Sequence, residues 1–188
     1  MIYQITSLLL EVVAGLLAGT CLLRLYMQYQ RIPLSARSGN PMGKFIFALT
    51  DWLVLPLRRV IPSVGRWDMA SLVGALLIEL ARFAMLWLIS GFAGSPLPLF
   101  IYALFALVYL GLHGLTAVVI VYAVLSWVPN QSALGDLVER LVMPVLLPIR
   151  RVVPLVGGID LSPLVLLVLV QIAVIVLGNV QAAVLVAI

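Results

Sequence analysis

Between Leu97 and Val128 the chain runs for 32 residues without an acidic or basic side chain. A helix of about 20 apolar residues crosses the hydrocarbon core of a bilayer, so this stretch alone is longer than a membrane is thick. It should tilt, protrude or break, and Gly111-Leu112-His113-Gly114 is its weak point. Three more apolar stretches accompany it, at Ile5–Tyr29, Met69–Phe92 and Leu161–Leu185. Of the 188 residues, 64% are hydrophobic and 10% are charged, against about 25% charged in soluble domains. That excludes a soluble globular domain, a disordered chain, a collagen and a disulfide-rich scaffold. The expected fold class is an all-α membrane protein with four transmembrane helices.

The charges that remain lie mostly between these stretches. The first connection, residues 31–68, holds Arg31, Arg37, Lys44, Arg58, Arg59 and Arg66, and the second, residues 129–160, holds Arg140, Arg150 and Arg151. The short turn after Phe92 holds none. Basic residues that flank apolar segments set orientation and meet anionic lipid headgroups, so no nucleic-acid partner is expected. The positive-inside rule places both long connections in the cytoplasm and both termini on the opposite side. Met1 to Gln4 carries no Lys or Arg, and the first apolar run exceeds a signal-peptide core. Segment one is therefore expected to be a retained membrane helix.

Neither connection reads as a plain loop. Phe45–Leu55 is apolar, too short to span, flanked by Lys44, Arg58 and Arg59, and stopped by Pro56. It reads as an amphipathic helix at about 42–55, lying in the interface or shallowly re-entrant. A second such helix is expected at about 133–147, where Leu134, Leu137, Val138 and Leu141 share a face opposite Asp136, Glu139 and Arg140. Gly15 and Gly19, with Ala14 and Ala18 beside them, offer a close-packing face, expected within the protomer rather than between protomers. Arg24 is expected to snorkel at the end of segment one.

The strongest single signal is an internal repeat. Pro56-Leu57-Arg58-Arg59-Val60-Ile61-Pro62-Ser63-Val64-Gly65-Arg66-Trp67-Asp68 returns 92 residues later as Pro148-Ile149-Arg150-Arg151-Val152-Val153-Pro154-Leu155-Val156-Gly157-Gly158-Ile159-Asp160. The same offset aligns Leu49 with Leu141, Leu72 with Leu164 and Val73 with Val165. The chain reads as two parallel two-helix repeats, 1–94 and 95–188, each with one interfacial or re-entrant amphipathic helix. Each unit has two spans, so both enter the membrane the same way, about a pseudo-two-fold axis along the membrane normal.

This duplicated motif, together with Asn40-Pro41, Ser126-Trp127 and Pro163, resembles the YggT family of bacterial membrane proteins and its plastid YlmG relatives. The resemblance covers the whole chain. One departure is Ala133, which stands where the first copy has Pro41. The resemblance implies a small inner-membrane protein without assigned enzymatic chemistry. Bacterial members are linked to osmotic and potassium-stress tolerance, and plastid relatives to assembly of cytochrome b-type complexes and to nucleoid organisation.

The motif has two physical readings. In the structural one, Pro56 and Pro148 end the amphipathic helices, and Pro62, Gly65, Pro154 and Gly157 shape the return. Asp68 and Asp160 then cap the following helices, and the arginines snorkel. In the other, Arg58, Arg59, Arg150 and Arg151 form a lipid- or partner-binding site for phosphate or carboxylate groups. A further set, Glu11, Glu79, Arg82 and His113, is polar at membrane depth. Glu79 and Arg82 can pair along one helix, or Glu11, Glu79 and His113 can line a cation or proton path. Gln171 and Val174 replace Glu79 and Arg82 in the second copy, which argues against a symmetric two-site transporter.

Cys21 has no partner for a disulfide or C-x-x-C site, and His113 alone cannot supply a two-histidine metal or haem site. No metal, cofactor or enzymatic activity is expected. The expectation is a non-enzymatic membrane adaptor or regulator, in contact with anionic lipids and with another membrane protein or a second copy of itself. The alternative is a small oligomeric cation or proton channel using Glu79, Arg82, Glu11 and His113.

Overall fold

The computed structural model describes residues 2–34, 40, 42–91, 96, 98–127, 132–153 and 160–187. Six helices follow one another: α1 (Ile2–Tyr29), α2 (Gly43–Val60), α3 (Met69–Ile89), α4 (Pro98–Trp127), α5 (Ala133–Arg150) and α6 (Ser162–Val186). Of these, α1, α3, α4 and α6 are long and apolar enough to cross a membrane. The expected turns at Ser38–Gly39, Pro41 and Gly94–Ser95, and the second motif's Pro154 and Gly157, lie outside the described residues.

Local chemistry sets the helix ends. At the end of α1 the Ile32 amide donates to the Met27 carbonyl at 2.9 Å and the Arg31 amide to that of Gln28 at 3.0 Å. This is a Schellman closure, with the Met27–Ile32 apolar contact that accompanies it. Arg31 takes the left-handed position, φ 57°, where glycine is usual. Ahead of α2, the Asn40 side chain donates to the Pro33 carbonyl and accepts from the Met42 amide, each at 3.0 Å. That brings Gly43 so close to the preceding chain that an added Cβ would lie 2.1 Å from the Leu34 carbonyl oxygen. At α5 the Ser132 hydroxyl caps the Gly135 amide at 3.1 Å.

Two expectations are corrected and one alternative is removed. Pro56 does not stop α2, which runs on to Val60, and Pro144 and Pro148 both lie inside α5. An internal proline costs about 3 kcal/mol. At Pro56 the following turn is held from outside: Leu57 packs against Gly74 and Arg58 pairs with Asp68. The Gly111–Gly114 stretch does not break α4, a single helix of 30 residues, or about 45 Å. The Thr116 hydroxyl donates back to the Leu112 carbonyl there at 3.0 Å. Arg24 does not snorkel; it is buried between α1 and α2.

The α1–α3 seam is built from small side chains, with Ala18 and Cys21 of α1 packed against Ala70 and Ala75 of α3. Small residues do pack within the protomer, but Ala14 and Ala18 carry the burial, while a Cβ added at Gly15 would meet nothing within 4 Å. Helix α3 packs on α4, and α4 packs on α5 and α6. An exact two-fold would give α6 a matching place against α1; α6 instead packs on α4 and α5.

Helices α2 and α5 sit at the same end of the molecule. Met27 of α1, Ile46 of α2 and Leu137 and Leu141 of α5 share one core cluster there. The Tyr26 hydroxyl also donates to the Leu141 carbonyl at 2.9 Å. Burial concentrates at this end. Among the described residues, α6 buries none beyond Val170, α1 none before Ala14, and α3 none beyond Glu79.

Candidate functional site

The repeated Arg–Asp motif closes on itself in both copies. The Arg58 guanidinium donates to both oxygens of Asp68, Nε to Oδ1 at 3.3 Å and Nη2 to Oδ2 at 2.5 Å. The Ser71 hydroxyl donates to Oδ2 at 2.6 Å. Arg150 Nε donates to Asp160 Oδ2 at 2.8 Å, its Nη2 to the Tyr122 hydroxyl at 2.7 Å, and its Nη1 touches Met143 Sδ at 3.4 Å. Each bond joins the end of an amphipathic helix to the start of the next long helix, so each motif acts as a clasp between the two. In the first return, Val64 and Trp67 exchange backbone hydrogen bonds of 3.1 and 3.0 Å across Gly65, whose φ is +61°. A left-handed residue there is what a two-residue hairpin turn requires. Trp67 then docks on Tyr29, with ring centroids 4.7 Å apart.

The two aspartates do different capping work. Asp68 holds the N-cap position of α3, but its carboxylate serves Arg58 and Ser71 and bonds no backbone amide. Asp160 lies one residue ahead of the α6 N-cap, Leu161, yet its Oδ1 accepts from the Ser162 amide at 2.9 Å. Burial raises both carboxyl pKa values, but the hydrogen bonds and arginine charges outweigh it. Ser71 and Arg58 hold Asp68 below its ordinary value, and Ser162 and Arg150 do so for Asp160.

The four candidate arginines therefore divide. Arg58 and Arg150 are engaged within the protein, whereas Arg59 and Arg151 are exposed. Beside α5 an open cleft of about 660 Å³ has an apolar floor that includes Ile32, Met143 and Leu147. Its rim carries Arg31, Asp136, Glu139 and Arg140.

A second polar centre was not legible as one in the sequence. Arg24, 1% exposed, reaches from α1 to α2. Its Nη1 donates to Thr50 Oγ1 and Asp51 Oδ1, each at 2.6 Å, and its guanidinium lies 5.0 Å from the Phe47 ring centre. The signal available was the spacing of Thr50 and Asp51 on an otherwise apolar helix. The 92-residue offset puts Thr116, Val142 and Met143 at the corresponding places, so the second half cannot build this pair.

Within the spans, Glu79 is 2% exposed, and its Oε2 lies 3.2 Å from Arg82 Nε. Neither atom has a hydrogen bond of good geometry. Arg82 also lies over the Phe83 ring at 4.4 Å, and Glu11 is near enough to Glu79 for their charges to interact. His113 stands apart on an exposed face of α4, its ring 6.2 Å from that of Tyr109. Among the described residues no three His, Cys, Asp or Glu side chains converge, so Glu11, Glu79 and His113 do not meet at one point.

The family model described as CCB3/YggT matches residues 2–89 and 101–181. A Vibrio alginolyticus relative, "Uncharacterized protein in proC 3'region", is 33% identical over 177 residues, covering 93% of this chain and 94% of its own length. The Escherichia coli (strain K12) "Uncharacterized protein YggT" is 35% identical over 166 residues, covering 87% and 84% respectively. No solved structure matches.

Proposed function

Starting from the premise that the chain belongs to the CCB3/YggT family, we propose that it is a non-enzymatic membrane adaptor. Its four long apolar helices hold α2 and α5 at one membrane face as a platform for another membrane protein. The observation that carries this reading is the pair of Arg–Asp clasps. They use Arg58 and Arg150 to fix the platform, and they leave Arg59, Arg151 and the cleft beside α5 open to a partner. A floor with methionine and leucine beneath a charged rim suits a short peptide segment.

In this reading the chain is two copies of one helix–helix–helix unit. Both copies enter a bacterial inner membrane from the same side, with α2 and α5 cytoplasmic and both termini periplasmic. The setting is the osmotic and potassium-stress tolerance, or the complex assembly, that the family resemblance implies. Native mass spectrometry after mild extraction tests it. A different membrane protein should accompany the wild-type chain and be lost from a Met143→Asp/Leu147→Asp variant that still unfolds at the wild-type temperature. A homo-oligomer with no other protein overturns the adaptor.

One observation favours a second reading, an oligomeric cation or proton path. Glu79 is buried 3.2 Å from Arg82, and Glu11 lies close enough to Glu79 for their charges to interact, so the carboxylates at membrane depth outnumber the one paired cation, an excess that a cation or proton would neutralise. Flux into proteoliposomes that Glu79→Gln abolishes supports it; absence of flux from the wild-type protein removes it.

A further inference from the structure

The outward surfaces of α2 and α5 are not alike. On α2 the exposed side is Lys44, Phe45, Ala48, Trp52, Leu55 and Arg59. It is an apolar, aromatic strip with a cation at each end and no acid. Asp51, the nearest carboxylate, is turned to Arg24. The exposed side of α5 also holds apolar residues, Leu134, Pro144 and Leu147, but Asp136 and Glu139 stand on it beside Arg140, so acids enter a face that on α2 has none. From this difference we infer that the outward face of α2 is a binding site for anionic phospholipid of the bilayer, a role α5 does not share.

Three further observations support it. The first is depth. Helix α2 touches α1 at Arg24 and α3 at Gly74, each five residues inside the helix end, or about 7 Å by helix rise. That sinks α2 to the boundary between headgroups and acyl chains, where tryptophan and phenylalanine are favoured. An aromatic strip placed there is covered by lipid.

The second is Lys44 itself. It lies in the first turn of α2, at the positive end of the helix dipole, where a cation disfavours the helix. No charge offsets it: Asn40 accepts from the Met42 amide without carrying a charge, and the first turn of α2 holds no acid. In α5 the same place holds Asp136, and Ser132 caps the helix. The start of α2 is thus electropositive by charge and by dipole, a combination that suits a phosphate group.

The third is that the cations continue past the helix. Arg66 is exposed in the tight return, beside the exposed Val60, Val64 and Trp67. A loop of this composition belongs in a headgroup layer. The inference does not rest on the adaptor reading, because lipid on α2 leaves the cleft beside α5 free.

The test uses the full chain in mild detergent, titrated with phosphatidylglycerol or phosphatidylcholine, with bound lipid read by native mass spectrometry. A cation beside an anionic surface contributes about 1 kcal/mol. Lys44→Gln should therefore weaken phosphatidylglycerol binding about fivefold, and Lys44→Gln with Arg59→Gln about thirtyfold. Arg140→Gln on α5 and the phosphatidylcholine titration should show no such change. Equal loss with Arg140→Gln, or no loss with the double variant, overturns the proposal. A spin label on Ala48→Cys, in a Cys21→Ala background in phosphatidylglycerol nanodiscs, supplies an independent readout. Access to oxygen but not to a polar nickel complex supports lipid cover. Access to the nickel complex means water covers α2, and exclusion of both reagents means protein does; either result overturns the proposal.

Discussion

The two halves share a motif but are not packed the same way. In α1–α3 small side chains let two long helices approach closely, and Arg24, Thr50 and Asp51 add a buried polar tie to α2. In α4–α6 the contact is made by bulky groups. Val119, Val142, Leu146, Leu166 and Val170 form the cluster, and the rest of α6 is largely exposed valine, leucine and isoleucine. The first half therefore gains fixed geometry from close approach and directional bonds, the second from apolar area. A duplicated sequence can keep a clasp and still diverge in how rigidly it holds what the clasp joins.

The sharpest way to break this comparison is at Gly43. A Cβ there would sit 2.1 Å from the Leu34 carbonyl oxygen, a backbone atom. Gly43→Ala should cost about 3 kcal/mol or more and displace the start of α2, read as a lower unfolding temperature and loss of the Asn40 turn. Unchanged stability would mean that the first half is no more tightly built than the second.

The clasps themselves come next. Asp68 is 2% exposed, whereas the Asp160 side chain is 27% exposed. Asp68→Asn should cost about 2 kcal/mol and Asp160→Asn about 1 kcal/mol, measured by reversible unfolding in the same detergent. Equal costs would erase the difference between the halves. Both carboxyls titrate below their ordinary value of 3.8. Each clasp then contributes fully above that pH and is lost as pH falls through the lowered folded value. An acid unfolding curve should therefore be shallower in Asp68→Asn than in wild type.

The smallest effect sharpens the comparison. Asp51 is 38% exposed, so water screens its pair with Arg24. Asp51→Asn should cost only about 0.5 kcal/mol, while Thr50→Val, which removes a buried partner of the same guanidinium, should cost about 1 kcal/mol. A double-mutant cycle between them should show coupling. The corresponding exchange in the second half, Val142→Thr, should show none with Met143.

Much of the fold was legible because a bilayer imposes strict rules on sequence. Helix length, apolar run and flanking charge located all four long helices within a few residues; a short apolar run between cations marked α2, and amphipathic spacing marked α5. The helix ends were harder. Pro56 and Pro148 read as stops, since local propensity is all that a sequence window contains, while the contacts that override it come from α3, and from Tyr122 and Asp160 around Arg150. At the site, the recurrence of arginine and aspartate at one offset marked the motif, but not that Arg58 bonds Asp68 and Arg150 bonds Asp160, which commits two of the four arginines to bonds within the protein. Arg24 was misread for the same reason: its partner lies on another helix.

By itself, then, the sequence determined the environment, the helix count and the duplicated motif, because each follows from hydropathy and order along the chain. Only the tertiary structure decided which charges are already spent on one another, that His113 is exposed while Glu79 is buried, and that α2 and α5 present different faces. Those outcomes depend on distances between segments far apart in sequence, where burial turns a neighbouring charge into a partner and exposure leaves it for something else.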